Sequence, residues 1–251
     1  MQAHQTEVPG PPEYVTPGNM ATIKTPEEIK TMKRAAEAAQ SVFSRALPFI
    51  RIGATERGIA DKMMAFALEI PGVTGAAFPA IIASGPNGAQ PHAEITDRAF
   101  EDGDFVTVDF GVILDGFASD MTRTFLLGKP TEKQLKIYNS VQRSQAAGVA
   151  AAKAGLACAA LDAVCRGLIE EDGYGEYFIH TTGHGIGTEV HEDPRIGKTS
   201  EAVLESGMVV TIEPGIYIEG FGGVRIEDTV IVTETGCEVI TPEIPKALML
   251  L

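Results

Sequence analysis

The chain has 251 residues, 44% of them hydrophobic, so it can bury a full core in one large domain or two small ones. Its 34 acidic residues against 20 basic ones give a formal net charge of −14. Nucleic acids and anionic membranes require basic surfaces, so the charge argues against both as partners. The most apolar stretch, residues 146–165, is mostly alanine and carries Lys153 and Asp162, and is therefore not expected to span a membrane.

The three cysteines cannot form a complete set of disulfides. Cys158 and Cys165 lie on one predicted helix, about 10 Å apart along its axis at about 1.5 Å per residue, which is too far for a bridge. The N-terminus shows no charged start followed by an apolar core, so no signal peptide is predicted. Reduced thiols in a cytoplasmic protein are the expectation.

The first elements follow from local signals. Residues 1–19 contain four prolines and two glycines, which predicts a disordered tail ahead of a single catalytic domain over residues 20–251. The sequence "TPEE" places Thr25 as the N-cap, Pro26 at the first helical position and Glu28 in a capping box. This helix is predicted to run to about Phe49, and a second one covers about residues 55–68.

Strands and helices alternate along the remainder. "FPAIIASG" (78–85) predicts a buried strand that leads into the loop "GPNGAQPHAE", and residues 104–128 predict two strands around a turn near Asp115–Gly116. "TEKQ" (131–134) is another capping box, opening a helix to about Lys153, and a further helix covers about 159–171. Residues 208–218 and 224–233 predict two more strands around a glycine-rich turn. The order indicates an α+β plan.

Four acids interrupt these apolar strands. Asp109 and Asp120 are equidistant from the Leu114–Asp115 bond, and Glu213 and Glu227 are equidistant from the first glycine of the glycine-rich turn. If the hairpins fold about these points, each acid faces its partner. A lone strand acid is more often a strand-end or edge residue, but two opposed pairs need neutralisation, because buried like charges repel. Bound cations are the simplest remedy.

The stretch "HTTGHGIGTEVHEDP" (180–194) holds three of the five histidines. Four carboxylates and one imidazole would bind two divalent ions, and such a ligand set suits Mn²⁺, Co²⁺, Fe²⁺ or Zn²⁺. A two-metal site polarises a carbonyl and lowers the pKa of a water, which is the chemistry of amide or phosphate hydrolysis. The acidic chain disfavours a phosphate-rich polymer as the substrate.

Five motifs occur in a recognisable order: "GPNGAQPHAE", "TVDFG…SDMTRTF", "HTTGHGIGTEVHEDP", "TIEPGIYI" and "GVRIED". With them the chain resembles the methionine aminopeptidase/Xaa-Pro peptidase superfamily from about Lys24 to Thr241. The resemblance implies the pita-bread fold, an antiparallel sheet with a pseudo-twofold repeat covered by helices. It also implies two divalent metal ions with five ligands: Asp109, Asp120, His184, Glu213 and Glu227.

The resemblance assigns further roles. Asp120 and Glu227 would bridge the two ions, Asp109 would bind one ion, and His184 with Glu213 would bind the other. Four residues are expected to act in catalysis, and two, in "HTTGH" and "EPGIYI", to bind the substrate. The catalytic residues are His92, His191, Glu213 as proton shuttle, and Arg225; the substrate-binding residues are His180 and Tyr217.

Four of the motifs ("SDMTRTF", "EVHE", "EPGIYI" and "GVRIED") resemble the Xaa-Pro peptidase branch. Methionine aminopeptidases lack an arginine at the place of Arg225, which is expected to hold the bridging acids by charge-assisted hydrogen bonds. The predicted function is removal of an N-terminal residue from Xaa-Pro peptides, as an aminopeptidase or a dipeptidase.

Two alternatives stay open. The Xaa-Pro branch typically carries an additional N-terminal domain, whereas only residues 1–25 precede the first helix here, as in a methionine aminopeptidase acting on nascent chains. A non-catalytic peptide- or protein-binding relative is the other alternative, disfavoured because all five ligands are present. The expected partner is a peptide substrate, and a homodimer is compatible with the family.

Overall fold

The structure is a computed structural model that describes residues 22–251. The predicted tail, residues 1–19, lies outside the described residues. The four α-helices are α1 (Pro26–Ala46), α2 (Glu56–Leu68), α3 (Glu132–Ala151) and α4 (Cys158–Glu171). The strands are β1 (Val73–Ala76), β2 (Ile81–Ser84), β3 (Phe105–Asp109), β4 (Val112–Leu114), β5 (Phe117–Ala118), β6 (Thr122–Leu126), β7 (Gly183–Gly185), β8 (Glu192–Ile196), β9 (Val209–Ile212), β10 (Gly215–Ile218), β11 (Gly222–Arg225), β12 (Asp228–Val232) and β13 (Cys237–Val239).

Both predicted capping boxes are confirmed. The Thr25 backbone N–H donates to the Glu28 carboxylate at 2.7 Å, and the Thr25 hydroxyl accepts from the Glu28 N–H. Thr131 and Gln134 make the same reciprocal pair at the start of α3. Each box satisfies backbone donors that the first helical turn leaves without partners. The first helix ends at Ala46, three residues earlier than predicted, and continues as a short 3₁₀ turn.

The strands form two broken hairpins that pair throughout in antiparallel fashion. In the first, β3 pairs with β6 and β4 with β5; in the second, β9 pairs with β12 and β10 with β11. The second hairpin belongs to a five-stranded sheet of order β13-β12-β9-β7-β8 and a two-stranded sheet. Within residues 22–251 no helix is both long and apolar enough to cross a bilayer.

The register of the first hairpin differs from the prediction. Asp109 pairs with Thr122, not with Asp120. The reason is the turn: Asp115 and Gly116 both have positive φ, 49° and 85°, so the hairpin closes on a two-residue turn centred between them. That centre is one residue later than the Leu114–Asp115 bond about which the two acids are symmetric, and a shift of one residue in the centre moves each cross-strand partner by two residues.

The register of the second hairpin agrees with the prediction. Gly215 pairs with Arg225 in β10–β11, and β9–β12 continues the same register on the other side of the break. Glu213 and Glu227 are therefore level with each other, each in the gap between two strands. The four acids lie where the two hairpins are broken.

Two helix pairs cover these hairpins. The α1–α2 pair packs on the first hairpin through residues such as Phe43, Met63 and Phe110. The α3–α4 pair packs on the second through residues such as Leu161 and Val210. This repeated arrangement of helices over a broken antiparallel hairpin is the predicted α+β pita-bread architecture.

A buried arginine joins the two halves. Arg123 on β6 is 1% exposed and forms a 2.8 Å ion pair with Asp228 on β12. Its guanidinium also donates to four backbone carbonyls, those of Thr122, Glu227, Thr241 and Ile244. All its donors are therefore used, as a charge without access to water requires.

Replacing Arg123 by Met should destabilise the protein by about 3–5 kcal/mol, because Asp228 and four carbonyls would lose their buried donor. Arg143→Met is the matched control: Arg143 pairs with Asp172 but its side chain is 54% exposed, so its loss should cost no more than about 1 kcal/mol. Urea denaturation followed by circular dichroism measures both. Equal losses in the two variants would contradict a joining role for Arg123.

Candidate metal centre

All five predicted ligands come together at the breaks in the two hairpins. One ligand atom each from Asp120, His184 and Glu227 lies within 4.8 Å of the others, and all three residues are buried. The His184 Nε2 atom is 3.2 Å from Glu213 Oε1 and 3.7 Å from Asp120 Oδ2. Asp109 lies close enough for its charge to raise the pKa values of Asp120 and Glu227.

The glycines around His184 let β7 approach its neighbours. A Cβ atom at Gly183 would lie 2.0 Å from the Thr211 carbonyl oxygen, and one at Gly185 would lie 2.1 Å from that of Asp193. Any side chain at either position would push the neighbouring strands apart. The "GHG" sequence therefore serves to bring the imidazole of His184 into the space between the hairpins.

The hydrogen bonds of His184 fix which ring nitrogen faces the acids. Its Nδ1 is 3.0 Å from the Gly185 carbonyl oxygen, which can only accept, so Nδ1 carries a proton. Nε2 then faces Glu213 and Asp120. A backbone carbonyl that orients the second nitrogen is the usual support of a metal-binding histidine.

The charges of the cluster are unbalanced. Burial and the nearby carboxylates raise the pKa values of Asp120 and Glu227 well above their ordinary range. Burial also raises the pKa of Asp109, against the opposing charge of Arg225. Glu213 is the exception, because its contact with His184 outweighs burial and lowers its pKa to about 2. Four carboxylates thus share one cavity, and some of them are driven to hold protons unless cations are present.

The donor set fits divalent metal ions. The buried oxygens Asp109 Oδ1 and Glu227 Oε1 have no hydrogen-bond partner among the described residues. Buried carboxylate oxygens are normally hydrogen-bonded, so such orphaned atoms in an acidic cluster indicate ligand positions. Carboxylate oxygens with one imidazole suit first-row divalent ions.

Arg225 does not contact the two predicted bridging acids directly. Its Nη2 donates to Asp109 Oδ2 at 2.6 Å, and its Nε donates to the Thr122 hydroxyl at 3.1 Å. Thr122 in turn donates to Glu227 Oε2 at 2.6 Å. The expectation that Arg225 binds the bridging acids is therefore wrong in detail: Arg225 reaches Asp109, and Glu227 only through Thr122.

A chain of hydrogen bonds links Arg225 to His180. Arg225 Nη1 lies 2.7 Å from the Tyr217 hydroxyl, which lies 2.9 Å from His180 Nε2. Because arginine can only donate, the Tyr217 oxygen accepts from it and the Tyr217 proton points to His180. His180 Nδ1 donates to the Thr181 carbonyl at 2.7 Å. Burial lowers the pKa of His180 to about 4 and raises that of Tyr217 to about 12, so both are neutral at pH 7.

The remaining two predicted histidines lie at the exposed side of the cluster. The ring centroid of His191 is 4.3 Å from that of His184. Burial, and then the charge of His184, lower the pKa of His191 to about 4. His92 is exposed, but it lies near enough for its charge to lower the pKa values of both His180 and His191. His92, His180 and His191 therefore lie near one another beside the acid cluster.

Sequence reasoning missed the residues that support the ligands. The Thr211 hydroxyl lies 3.1 Å from Glu213 Oε1 and accepts from the His184 N–H at 3.1 Å, and Thr122 holds Glu227. Each threonine is two residues from an acid, so the strand period of two puts both on the face of the cluster. That spacing is a signal that could have identified them.

The comparisons with known proteins agree with this geometry. The sequence profile described as metallopeptidase family M24 matches residues 30–234, so the chain belongs to this family of metallopeptidases. The Xaa-Pro dipeptidase of Pyrococcus furiosus is 46% identical over 223 residues, which cover 89% of this chain and 64% of that protein.

Solved structures give the same result. The Xaa-Pro dipeptidase from Bacillus anthracis is 49% identical with a TM-score of 0.89, over 92% of this chain and 64% of that one. Escherichia coli aminopeptidase P in complex with substrate is 27% identical with a TM-score of 0.80, over 89% and 57%. The pita-bread fold is thereby confirmed, and the chain spans about 64% of the length of the dipeptidases that it matches.

The metal content of two variants distinguishes a residue that binds the metal ions from a residue that only lies beside them. Glu227→Gln should bind markedly less metal than the wild type, because the substitution removes the negative charge of a carboxylate that is predicted to bind both ions. His191→Ala should keep a metal content near the wild-type value, since His191 lies beside His184 rather than within the acid cluster. Elemental analysis after incubation with Mn²⁺ and desalting measures both. Metal loss in His191→Ala with full retention in Glu227→Gln would reverse the two roles.

Proposed function

We propose that the chain is a two-metal exopeptidase that removes the N-terminal residue from Xaa-Pro peptides. The observation that carries the proposal is the buried cluster of four carboxylates and one oriented imidazole, with orphaned oxygens on Asp109 and Glu227. The Xaa-Pro preference is supported by the similarity to dipeptidases with that name. The convergence of all five ligands speaks against a non-catalytic binding protein.

Each ligand in the proposal has the role that its sequence motif predicts. Asp120 and Glu227 would help to hold both ions, Asp109 would help to hold one of them, and His184 with Glu213 would help to hold the other. Mn²⁺, Co²⁺, Zn²⁺ and Fe²⁺ all suit this donor set. When bound, the ions would supply Lewis acidity toward the scissile carbonyl and toward water.

Glu213 is the residue proposed to move the proton. It is held by the Thr211 hydroxyl and by a backbone N–H bond to the Thr182 carbonyl at 2.8 Å. Its carboxylate is ionised at neutral pH, and it can accept a proton from an attacking water whose own pKa the ions would lower. It then donates that proton to the leaving nitrogen as the amide bond breaks.

The histidines around the opening are proposed to meet the peptide. His191 is neutral at pH 7 and can donate one hydrogen bond to the carbonyl oxygen as its negative charge develops. His92, which lies near both His180 and His191, is proposed to have a similar role. His180 and Tyr217, fixed by Arg225, form a neutral wall of the substrate pocket. A neutral wall suits the apolar ring of a proline.

Location and assembly belong to the same proposal. A cytoplasmic location is supported by the free state of Cys158, Cys165 and Cys237, and burial raises the pKa of Cys165 to about 12, which keeps it a thiol. Peptides are the proposed partners. The homodimer, like the exclusion of nucleic acid, stays a prediction of the sequence.

The substrate preference can be measured directly. Purified protein loaded in turn with Mn²⁺, Co²⁺ and Zn²⁺ should cleave Ala-Pro or Ala-Pro-Ala faster than Met-Ala-Ser. The ratio of the rate for Ala-Pro to the rate for Ala-Pro-Ala distinguishes a dipeptidase from an aminopeptidase. Product amino acids are quantified by chromatography. Turnover of Met-Ala-Ser about tenfold faster under every metal would contradict the proposal and favour a methionine aminopeptidase.

The variant Arg225→Lys tests whether the hydrogen bonds of the Arg225 guanidinium, including the one to Asp109, are needed for activity. Lysine keeps the charge but cannot reach Asp109, Thr122 and Tyr217 together, so kcat should fall about tenfold or more while the fold is retained. Steady-state kinetics on Ala-Pro and a thermal melt make the measurement. Arg143→Lys on α3 is the control and should leave kcat unchanged. Near-normal kcat in Arg225→Lys would show that the guanidinium fork is dispensable.

A further inference from the structure

A buried ion pair on α4 has no part in the metal centre. Asp162 and Arg166 are one helical turn apart and buried, and Arg166 donates from Nε to Asp162 Oδ2 at 2.8 Å and from Nη2 to Oδ1 at 2.9 Å. Removing two charges from water is costly unless every remaining donor and acceptor is used. The other partners of the pair therefore show what it holds.

Those partners all lie in residues 178–182. Arg166 donates from Nη1 to the Phe178 carbonyl at 2.7 Å and from Nη2 to the His180 carbonyl at 2.8 Å. Asp162 Oδ1 accepts from the Thr182 hydroxyl at 2.8 Å. The pair is therefore hydrogen-bonded to every second residue of this segment.

The opposite side of the same segment faces the proposed active site. The His180 ring points to the Tyr217 hydroxyl, while its backbone carbonyl is held by Arg166. The guanidinium carbon of Arg166 is also 4.0 Å from the Phe178 ring centroid, and that ring packs edge-on against His180 at 5.2 Å. His180 is therefore fixed from behind both through its backbone and through its ring neighbour.

We propose that Asp162 and Arg166 are positioning residues that set the orientation of His180 at the substrate opening. The bidentate fork holds the backbone of the segment so that the His180 ring meets Tyr217. The pair acts on the reaction only through His180. In its kinetic part this inference rests on the proposed function.

The kinetic test is a double-mutant cycle between Arg166→Lys and His180→Ala. Lysine retains the charge but loses the fork, so the single variant should raise KM for Ala-Pro several-fold to about tenfold, with a smaller change in kcat. In the His180→Ala background the same substitution should have no further effect on KM. Full additivity of the two effects would overturn the proposal. Arg143→Lys on the neighbouring helix is the matched control and should behave as wild type.

A second measurement does not depend on activity. In ¹⁵N-histidine-labelled protein at pH 7, with the His180 signals assigned from their loss in His180→Ala, the wild type should show the tautomer with the proton on Nδ1. Arg166→Lys should shift these signals toward an average of the two tautomers. Unchanged His180 signals would overturn the positioning role even if no peptide were cleaved, so failure of the two proposals is distinguishable.

A variant that keeps the ion pair covers the case in which Arg166→Lys does not fold. Thr182→Val removes only the hydroxyl that donates to Asp162 and has nearly the same shape. It should produce a smaller shift of the His180 signals in the same direction. If Thr182→Val leaves those signals at their wild-type positions, the pair does not control His180 and the proposal fails.

Discussion

Four buried carboxylates repel one another at the centre of this structure, and the arrangement of both hairpins follows from holding them there. Asp109, Asp120, Glu213 and Glu227 lie in one cavity whose permanent cation is Arg225. A fold that only needed a stable core would gain nothing from this arrangement, because each buried charge opposes folding. Two divalent cations convert the repulsion into attraction. The centre is thus costly to the protein alone and favourable once metal is bound.

The architecture explains how the four acids are brought together without disrupting the hydrophobic core. Each hairpin is interrupted once, so Asp120, Glu213 and Glu227 lie between strands, and Asp109 is the last paired residue of β3 before the break. The two interruptions meet between the helix pairs, and Arg123 bridges the halves just beyond them. Threonines two residues from the acids satisfy the oxygens that a metal would leave unused. Rigid support from both hairpins suits a site whose residues would hold two divalent ions.

Features that are determined by residues close together in the sequence could be predicted, and features that depend on distant residues could not. The capping boxes at Thr25 and Thr131 were predicted because a cap involves residues only three apart. The register of the first hairpin was missed by two residues because Asp109 was expected opposite Asp120, whereas the predicted turn at Asp115–Gly116 places it opposite Thr122. Short strands such as β1 and β7 carry too few residues for a visible alternation.

The same difference between local and long-range features applies to the candidate site. Its ten residues are all predicted from sequence, and the structure brings them together in and around one acid cluster. The direct partner of Arg225 could not be predicted, since Asp109 lies 116 positions away and the side chains of three strands decide the contact. The grip of Arg166 on residues 178–182 is equally non-local in origin, because it depends on how α4 packs against that segment.

The raised pKa values imply that the metal-free cluster holds protons, which divalent cations displace when they bind. Calorimetric titration of the chelator-treated protein with Mn²⁺ at pH 7, in two buffers of different ionisation enthalpy, tests it most directly. Because the pKa values of Asp120 and Glu227 are raised well above their ordinary range, binding should release protons. The observed heat should then differ between the buffers in proportion to their ionisation enthalpies. Equal heats in both buffers, or no binding of Mn²⁺, would show that the cluster does not exchange protons for metal ions.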